Sequence, residues 1–376
     1  MSVVDRVPER APRPTATRWM DGARVLAIVA VVLIHLLAPV VEGRGVPVGS
    51  AGWWVANALD AGTRWCVPVF VMISGALALD PGRTARPREY FRRRAARIGI
   101  PLVVWTVLYL LFRAYVLGAD LTPADAAADV AAGAPFLQLY FLYVLAGLVL
   151  ATPFLKVVTR HATWRMSLGL AVVLLGLGVL DQVLAFAGGV GEANAATRFL
   201  PFAGYYVLGW CLRDVLVRGR ALLLARVGLW TSLALTALAA GATGYGSLGR
   251  YAYDFLSPTV VVASTCAYLL LHRGLDRAPR RVGTALARSA PYAFGVFLVH
   301  GALVYGLRAL TGPPDSLAEV LGTVLLLLPA HLLAATALTW VLLQVPYVRA
   351  ALGEPARRPP RRAAPDAGSP GGSREG

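Results

Sequence analysis

Charged side chains are scarce in this chain. Asp, Glu, Lys and Arg together make up 15% of its 376 residues, whereas hydrophobic residues make up 57%. The mean hydropathy is +0.62. Long apolar stretches recur to the C-terminus, and each is long enough to cross a hydrocarbon core of roughly 30 Å. No large soluble domain fits between them, so the composition predicts an integral membrane protein.

Cysteine and the common cofactor motifs are also scarce. The three cysteines, Cys66, Cys211 and Cys266, fall in or near different apolar stretches and show neither metal nor disulfide spacing. The sequence contains no P-loop, no dinucleotide fingerprint and no HExxH motif, and spacing identifies no Ser-His-Asp set. We therefore expect no metal site and no permanently bound cofactor.

The apolar stretches predict an all-α, polytopic helical bundle with about ten transmembrane helices. A basic cytoplasmic segment, 1–23, precedes the ten-span domain, 24–346, and a basic tail, 347–376, follows it. The tail is rich in Pro, Arg, Gly and Ser, and we expect it to be disordered because it has little to bury. The predicted spans are 24–41, 53–79, 99–118, 137–153, 167–187, 199–212, 227–244, 253–271, 291–310 and 318–346.

Positive charge is distributed unevenly along the chain, whose formal net charge is +16. All but six of its 36 Lys and Arg residues fall in alternate connections that include both termini. The positive-inside rule therefore predicts cytoplasmic N- and C-termini. The basicity reports topology and attraction to anionic lipid, so we expect no nucleic-acid partner. The six exceptions are Arg44, Arg64, Arg113, Arg198, Arg250 and Arg308.

The first span carries three polar residues at helical spacing. Asp21 precedes Arg24 by three residues, so the two side chains can pair at the cytoplasmic end. His35 follows Arg24 by eleven residues, about three turns, and lies on the same face near the middle of the membrane. An intramembrane titratable group is costly unless it faces protein or water, so His35 is a candidate catalytic residue. The alternative is an interfacial ion pair plus a packing histidine.

The second span contains Arg64, with Asp60 one turn before it. Pro68 frees a backbone carbonyl and predicts a kink at that point. Ser74 offers a hydroxyl, and Gly75 permits close backbone approach. A kinked helix with a buried Asp–Arg pair is the structural alternative to a substrate site.

Two later segments complete the set of candidates. The run Arg92–Arg94 with Arg97 places Arg94 and Arg97 on one helix face at the cytoplasmic end of the third span. Arginine pairs bind phosphates bidentately, although such runs also serve as plain membrane anchors. His300 is a second histidine within a span and is as consistent with buried hydrogen bonding as with function.

Together these segments resemble the acyltransferase-3 family of polytopic membrane acyltransferases. Arg24 and His35 match its Arg-x10-His element, Arg94 and Arg97 its Arg-x-x-Arg element, and Phe297-Leu-Val-His300 its late Tyr-Leu-x-His segment. Val67–Gly75 is close to the branch that includes the enterobacterial common antigen O-acetyltransferase. Leu139–Tyr143 resembles an aromatic Trp-Phe-Leu segment, with Tyr140 where Trp is usual. The departures at Tyr140, Phe297 and Ala76 bear on pocket shape.

The resemblance implies transfer of an acyl group, usually acetyl from acetyl-CoA, to a hydroxyl of a glycan or of a glycosylated lipid or metabolite. It implies a catalytic set of His35, Arg24 and Asp21, with His35 as general base or, as the alternative, a transient acyl carrier. Arg93, Arg94 and Arg97 are expected to bind the phosphates of CoA. Substrate-positioning roles are expected for Arg64, Ser74, Gly75, Tyr140 and His300.

An exporter or flippase of polysaccharide or lipid is the main alternative function, and a channel is a weaker one. An exporter needs a continuous polar path across many spans, whereas the charges here concentrate in the first two. The near absence of Lys, with Lys156 the only one, suggests a GC-rich bacterial genome and hence a bacterial cell membrane. The sequence leaves open the acceptor, the acyl chain length, the face on which transfer finishes and the oligomeric state.

Overall fold

The computed structural model describes residues 4–5, 18–80, 82, 86–188 and 194–354. Across these residues the fold is an all-α bundle, and its only strands are β1 (Val4–Asp5) and β2 (Leu216–Val217), which pair antiparallel. The helices are α1 Arg18–Val41, α2 Ala51–Ala61, α3 Cys66–Ala78, α4 Pro87–Arg94, α5 Ile100–Tyr115, α6 Pro123–Ala131, α7 Tyr140–His161, α8 Trp164–Phe186, α9 Ala203–Leu212, α10 Gly219–Thr243, α11 Ser247–Tyr253, α12 Pro258–Asp276, α13 Arg280–Ser289, α14 Ala293–Thr311, α15 Leu317–Gly322 and α16 Leu328–Gln344.

Short irregular helices connect several of these elements. A π-helix joins α4 to α5 (Ala95–Gly99), and another joins α15 to α16 (Thr323–Leu327). The 3-10 helices are Leu200–Phe202, Ala290–Tyr292 and Val348–Leu352.

Nine continuous or stacked helical segments of the described chain are long and apolar enough to cross a membrane. The helix α1 is the central one, since 61% of its most apolar window is buried, against 17% for α8. Side chains such as Phe154 and Leu333, exposed by 75% and 72%, face outward from the bundle. Apolar side chains exposed in this way suit contact with lipid, which confirms the predicted polytopic membrane fold.

The sixth predicted span, 199–212, forms a shorter helical element, Leu200–Leu212. At 1.5 Å per residue it is roughly 20 Å long, too short to cross the hydrocarbon core alone. It nevertheless runs from one end of the bundle to the other. Arg198 bonds the carbonyl of Ala132 at one end, and Arg213 pairs with Asp80 at the other. It is therefore a tenth traverse that is enclosed by protein.

The enclosure of α9 depends on glycine. A Cβ on Gly209 would lie 2.0 Å from the carbonyl oxygen of Met72, and one on Gly75 would lie 1.9 Å from that of Tyr206. The backbones of α3 and α9 are therefore in direct contact, as small residues allow in membrane helices.

The second span is interrupted, but not at the proline. The helix α2 ends at Ala61, and α3 begins at Cys66. Arg64 lies in the connecting turn, and Pro68 falls in the first turn of α3, where a missing N–H leaves no helical bond unmade. The kink predicted at Pro68 is therefore wrong in position, because the turn before α3 has already broken the helix.

Two predicted domain boundaries also differ from the structure. The first helix begins at Arg18, six residues before the predicted start of the membrane domain at 24. The start of the predicted disordered tail forms the 3-10 helix Val348–Leu352, in which Leu352 is buried. Trp105 donates from Nε1 to the carbonyl of Ala351 at 2.9 Å and ties this segment to α5. The rest of the tail, 355–376, lies outside the described residues.

Candidate functional site

A cavity of about 280 Å³ opens at the end of the bundle where α1 and α5 begin. We call it the basic cavity, because Arg24, Arg94 and Arg97 all line it. Leu352, Gly353 and Glu354, at the end of the described chain, line it as well. The first helix and the C-terminal segment therefore meet at one end of the bundle, as an even number of traverses requires.

The arginines of the basic cavity are held by different neighbours. Arg24 pairs with Asp21 at 2.8 Å, one turn earlier on α1, as the sequence predicted. Arg94 lies over the ring of Tyr90, 5.5 Å from its centroid. Both contacts leave part of the guanidinium directed elsewhere, since each has five N–H donors. The cavity thus presents three cations and one carboxylate, that of Glu354.

The inner end of the basic cavity is aromatic. Phe70 of α3, Phe141 of α7 and Phe297 of α14 all line it. The ring centroids of Phe70 and Phe141 are 6.1 Å apart, and those of Phe141 and Phe297 are 5.5 Å apart. Such spacings are typical of packed aromatic pairs. These three rings, which we call the aromatic wall, close the cavity toward the centre of the bundle.

Two histidines lie directly behind the aromatic wall. The ring of His300 is 5.9 Å from that of Phe297, and the ring of His35 is 5.2 Å from that of His300. His300 is fully buried, and its Nδ1 lies 2.7 Å from the carbonyl oxygen of Phe297. A carbonyl only accepts, so Nδ1 carries the hydrogen, and Nε2 of the neutral ring is an acceptor.

Neither histidine has its full hydrogen bonding satisfied within the described residues. Nε2 of His300 and Nδ1 of His35 are both buried without a partner. Buried polar atoms are normally bonded, so these atoms are available to a substrate or to water. His331 of α16, also with an unpartnered Nε2, is a third buried histidine in this region.

Arg64 is held in the turn between α2 and α3 by a buried carboxylate. Its Nε donates to Asp60 at 2.7 Å, and the Asp60 side chain is completely buried. The guanidinium also lies over the ring of Tyr253, 4.3 Å from its centroid. Arg64 and His300 are the two groups whose fields act on His35. The sequence-predicted Asp60–Arg64 pair is therefore present, and it holds a guanidinium, 13% exposed, whose field reaches the central histidine.

A second cavity, of about 510 Å³, opens at the opposite end of the bundle. We call it the tyrosine cavity, because Tyr140 and Tyr305 line it together with Phe136. Arg113 and Arg198 also line it. Arg113 is near the end of α5, whereas Arg97 precedes that helix, so the two cavities lie at opposite ends of one span.

The predicted site residues divide between these features. The basic cavity gathers Arg24, Ser74, Arg94 and Arg97, and the centre of the bundle holds His35, Arg64 and His300. Tyr140 lies in the tyrosine cavity. Ser74 donates its hydroxyl to the carbonyl of Phe70 at 2.8 Å.

Outside the centre of the bundle, three predicted site residues line neither cavity: Asp21, which pairs with Arg24, and Arg93 and Gly75. Arg93 is exposed and pairs with Glu89 on its own helix, one helical position away from the cavity-lining Arg94. Gly75 lies against the backbone of Tyr206 and serves helix packing.

Several residues of the cavities were not predicted. Leu352–Glu354 fell in a segment expected to be disordered, and Arg113 was considered only for its side of the membrane. Phe294 and Tyr305 belong to α14. The sequence pattern of α14 predicts a buried helix but does not predict which helices pack against it. The only sequence feature that could have indicated Arg113 or Tyr305 is that each interrupts an apolar run.

Comparison with known proteins identifies the family. A family model described as an acyltransferase domain matches residues 17–344, nearly the whole described chain. The chain therefore belongs to the acyltransferase-3 family and is a multi-pass membrane acyltransferase. No curated protein gave a significant match, and no solved structure gave one either. The resemblance to the enterobacterial common antigen branch stays a prediction.

Proposed function

We propose that the protein transfers an acetyl group from acetyl-CoA to a hydroxyl of a glycan or glycosylated metabolite at a bacterial cell membrane. One observation carries this proposal: the basic cavity leads from three arginines to an aromatic wall that is in contact with a histidine pair. A phosphate-rich donor with a long, weakly polar arm and a reactive end matches that order of chemistry.

The arginines are suited to the phosphates of CoA. Guanidinium groups bind phosphate oxygens through parallel N–H bonds. Arg24, Arg94 and Arg97 approach the cavity from α1, the end of α4 and the π-helix before α5, so a bound phosphate group bridges α1 and the segment that leads into α5. Excess Arg at this end also follows the positive-inside pattern, which supports a cytoplasmic position of the basic cavity, on the side where CoA resides.

His35 serves as general base in this mechanism. The acceptor hydroxyl gives its proton to His35, and its oxygen attacks the thioester carbonyl. The C–S bond then breaks, and the proton passes to the sulfur of CoA. Arg64 is positioned to stabilise the negative charge that develops on the carbonyl oxygen, because its own charge is buried and held by Asp60.

The aromatic wall separates donor and base in this conformation. Phe297 lies between the basic cavity and His300, and His300 lies between Phe297 and His35. We propose that the acyl end of the donor displaces the Phe297 ring when it binds. Rotation of aromatic side chains allows this without movement of the helices.

Binding of acetyl-CoA to the purified full chain in nanodiscs tests the donor site. The Arg94→Ala/Arg97→Ala variant is expected to lose binding by roughly tenfold or more, since two charge-assisted contacts are removed. Arg93→Ala is the matched control, because that arginine is on the same segment but outside the cavity, and it should bind as the wild type does. Equal affinity of all three proteins would contradict this donor site.

A further inference from the structure

The tyrosine cavity lies apart from the proposed donor site. It opens at the end opposite the basic cavity, and it is larger, at about 510 Å³. Small-molecule sites are typically concave and of roughly 300–1,000 Å³, so its size suits one or two sugar rings.

Tyr140 connects this cavity with the centre of the bundle. It lines the tyrosine cavity, while the next residue, Phe141, lines the basic cavity. The ring of Phe141 packs against that of Phe297, with centroids 5.5 Å apart, and the ring of Phe297 is 5.9 Å from that of His300. The inner end of the tyrosine cavity is therefore close to the proposed catalytic centre.

The hydroxyl of Tyr140 is buried and has no hydrogen-bond partner within the part of the chain that the structure describes. A buried hydroxyl without a partner is costly, and a ligand that supplies one removes that cost. A substrate hydroxyl is the simplest group that both donates to and accepts from a tyrosine.

The charged groups of the cavity are already engaged. Arg113 pairs with Asp129 at 2.5 Å and also donates to the carbonyl of Pro135 at 2.9 Å. Arg198 donates through Nε and Nη2 to the carbonyl of Ala132, at 3.0 and 2.7 Å. Asp129 offsets one of the two arginine charges of the cavity, so the cavity attracts an anion less strongly than the basic cavity does, and a neutral ligand is the better match.

Aromatic rings supply part of the remaining, apolar surface. Phe136 and Tyr305 pack edge to face, with centroids 5.2 Å apart, and both line the cavity. Flat apolar surface next to polar groups suits a sugar ring, which presents C–H faces as well as hydroxyls.

We propose that the tyrosine cavity binds the acceptor as a neutral sugar, with the hydroxyl of Tyr140 bonded to the sugar hydroxyl that becomes acylated. The two substrates thus reach the central histidines from opposite ends of the bundle. This inference rests on the proposed acetyl transfer. The sugar oxygen bonds to the acyl carbon as the C–S bond breaks, and the proton moves by way of His35 to the sulfur.

The test uses the full chain in nanodiscs with labelled acetyl-CoA and the methyl glycosides of glucose, galactose and mannose. Methyl glucuronide is the matched anionic probe. At least one neutral glycoside should be acetylated by the wild type, and glucuronide at least about tenfold more slowly. Tyr140→Phe should raise the acceptor KM or lower transfer by about tenfold, the value of one hydrogen bond to a buried group, with acetyl-CoA affinity unchanged.

Tyr305→Ala and Tyr115→Phe complete the design. Tyr305→Ala should raise the acceptor KM without changing donor affinity, and Tyr115→Phe should change neither, since Tyr115 is exposed and does not line the cavity. Unchanged acceptor KM in both Tyr140→Phe and Tyr305→Ala, or no neutral glycoside bound or acetylated, would overturn the acceptor site. A wild type that binds no acetyl-CoA would instead overturn the proposed function.

Discussion

Tyr140 and Phe141 are adjacent at the start of α7, yet they line cavities that open at opposite ends of the bundle. Consecutive residues of a helix differ by about 100° in direction, which is enough for one helix end to contribute to both. The partition between the two cavities is therefore only about as thick as one layer of side chains. That layer contains the aromatic wall, and the histidine pair is in contact with it.

Replacing Phe297 by alanine should open this partition. Removal of its ring connects the basic cavity with His300, so water can reach the thioester. We expect acetyl-CoA hydrolysis without acceptor to rise severalfold, measured as release of free CoA thiol. Hydrolysis by Phe297→Leu should stay low, because leucine keeps most of the apolar volume. Hydrolysis by Phe294→Ala should also stay low, because the Phe294 ring lines the cavity without contacting His300. Equal hydrolysis by all four proteins would contradict a sealing role for Phe297.

Glu354 is the carboxylate among the arginines of the basic cavity. Its replacement by glutamine removes a negative charge near the proposed phosphate site. We expect acetyl-CoA to bind roughly two- to fivefold more tightly, in line with the modest strength of partly exposed charge interactions. The gain should diminish as salt concentration rises. Weaker binding of acetyl-CoA by Glu354→Gln would place the phosphates elsewhere.

The contact between α3 and α9 predicts a stability effect that does not involve the chemistry. Gly209→Ala directs a methyl group at the Met72 carbonyl, which lies 2.0 Å from the position of the new Cβ. Such overpacking costs about 1–3 kcal/mol, so the thermal unfolding temperature in detergent should fall. Gly176→Ala is the matched control, because a Cβ placed on Gly176 would have no atom from the rest of the protein within 4 Å. A similar unfolding temperature for both variants would argue against this close contact.

Asp60→Asn should destabilise the fold more than loss of a surface ion pair does. It leaves the Arg64 charge buried beside a neutral amide, and breaking a buried pair costs about 3–5 kcal/mol. The control is Glu89→Gln, since the Glu89–Arg93 pair is exposed and contributes at most about 1 kcal/mol. Chemical unfolding of the two variants and the wild type measures the difference. If Asp60→Asn and Glu89→Gln lower the free energy of unfolding by similar amounts, solvent reaches Asp60.

Much of the architecture could be predicted from the sequence because membrane helices must satisfy their own backbone hydrogen bonds. Long apolar runs such as that of α8 therefore mark their own boundaries to within a few residues. The element 199–212 was also located correctly. The sequence did not show that this element is enclosed by protein, because its enclosure depends on contacts of Gly75 and Gly209 with backbone far away in the sequence.

The site was predictable only in part. The eleven-residue spacing of Arg24 and His35 correctly suggests one helix face, and the structure does place Arg24 at the cavity. It places His35 two rings beyond the cavity, because Phe297 and His300 from α14 intervene. Contacts between residues more than 200 positions apart have no signature in the periodicity of either helix. The same reason explains why Tyr305 and Glu354 were not among the predicted site residues.

Transfer by the His35→Ala variant is the most direct test of the central claim, that the donor cavity and the histidine pair together perform acyl transfer. The full chain in nanodiscs is given labelled acetyl-CoA and a glycan acceptor, with His161→Ala as a control for an exposed histidine. The account predicts that His35→Ala binds acetyl-CoA as the wild type does and transfers about 10²–10⁴-fold more slowly. A folded His35→Ala protein that transfers acetyl at the wild-type rate would contradict it.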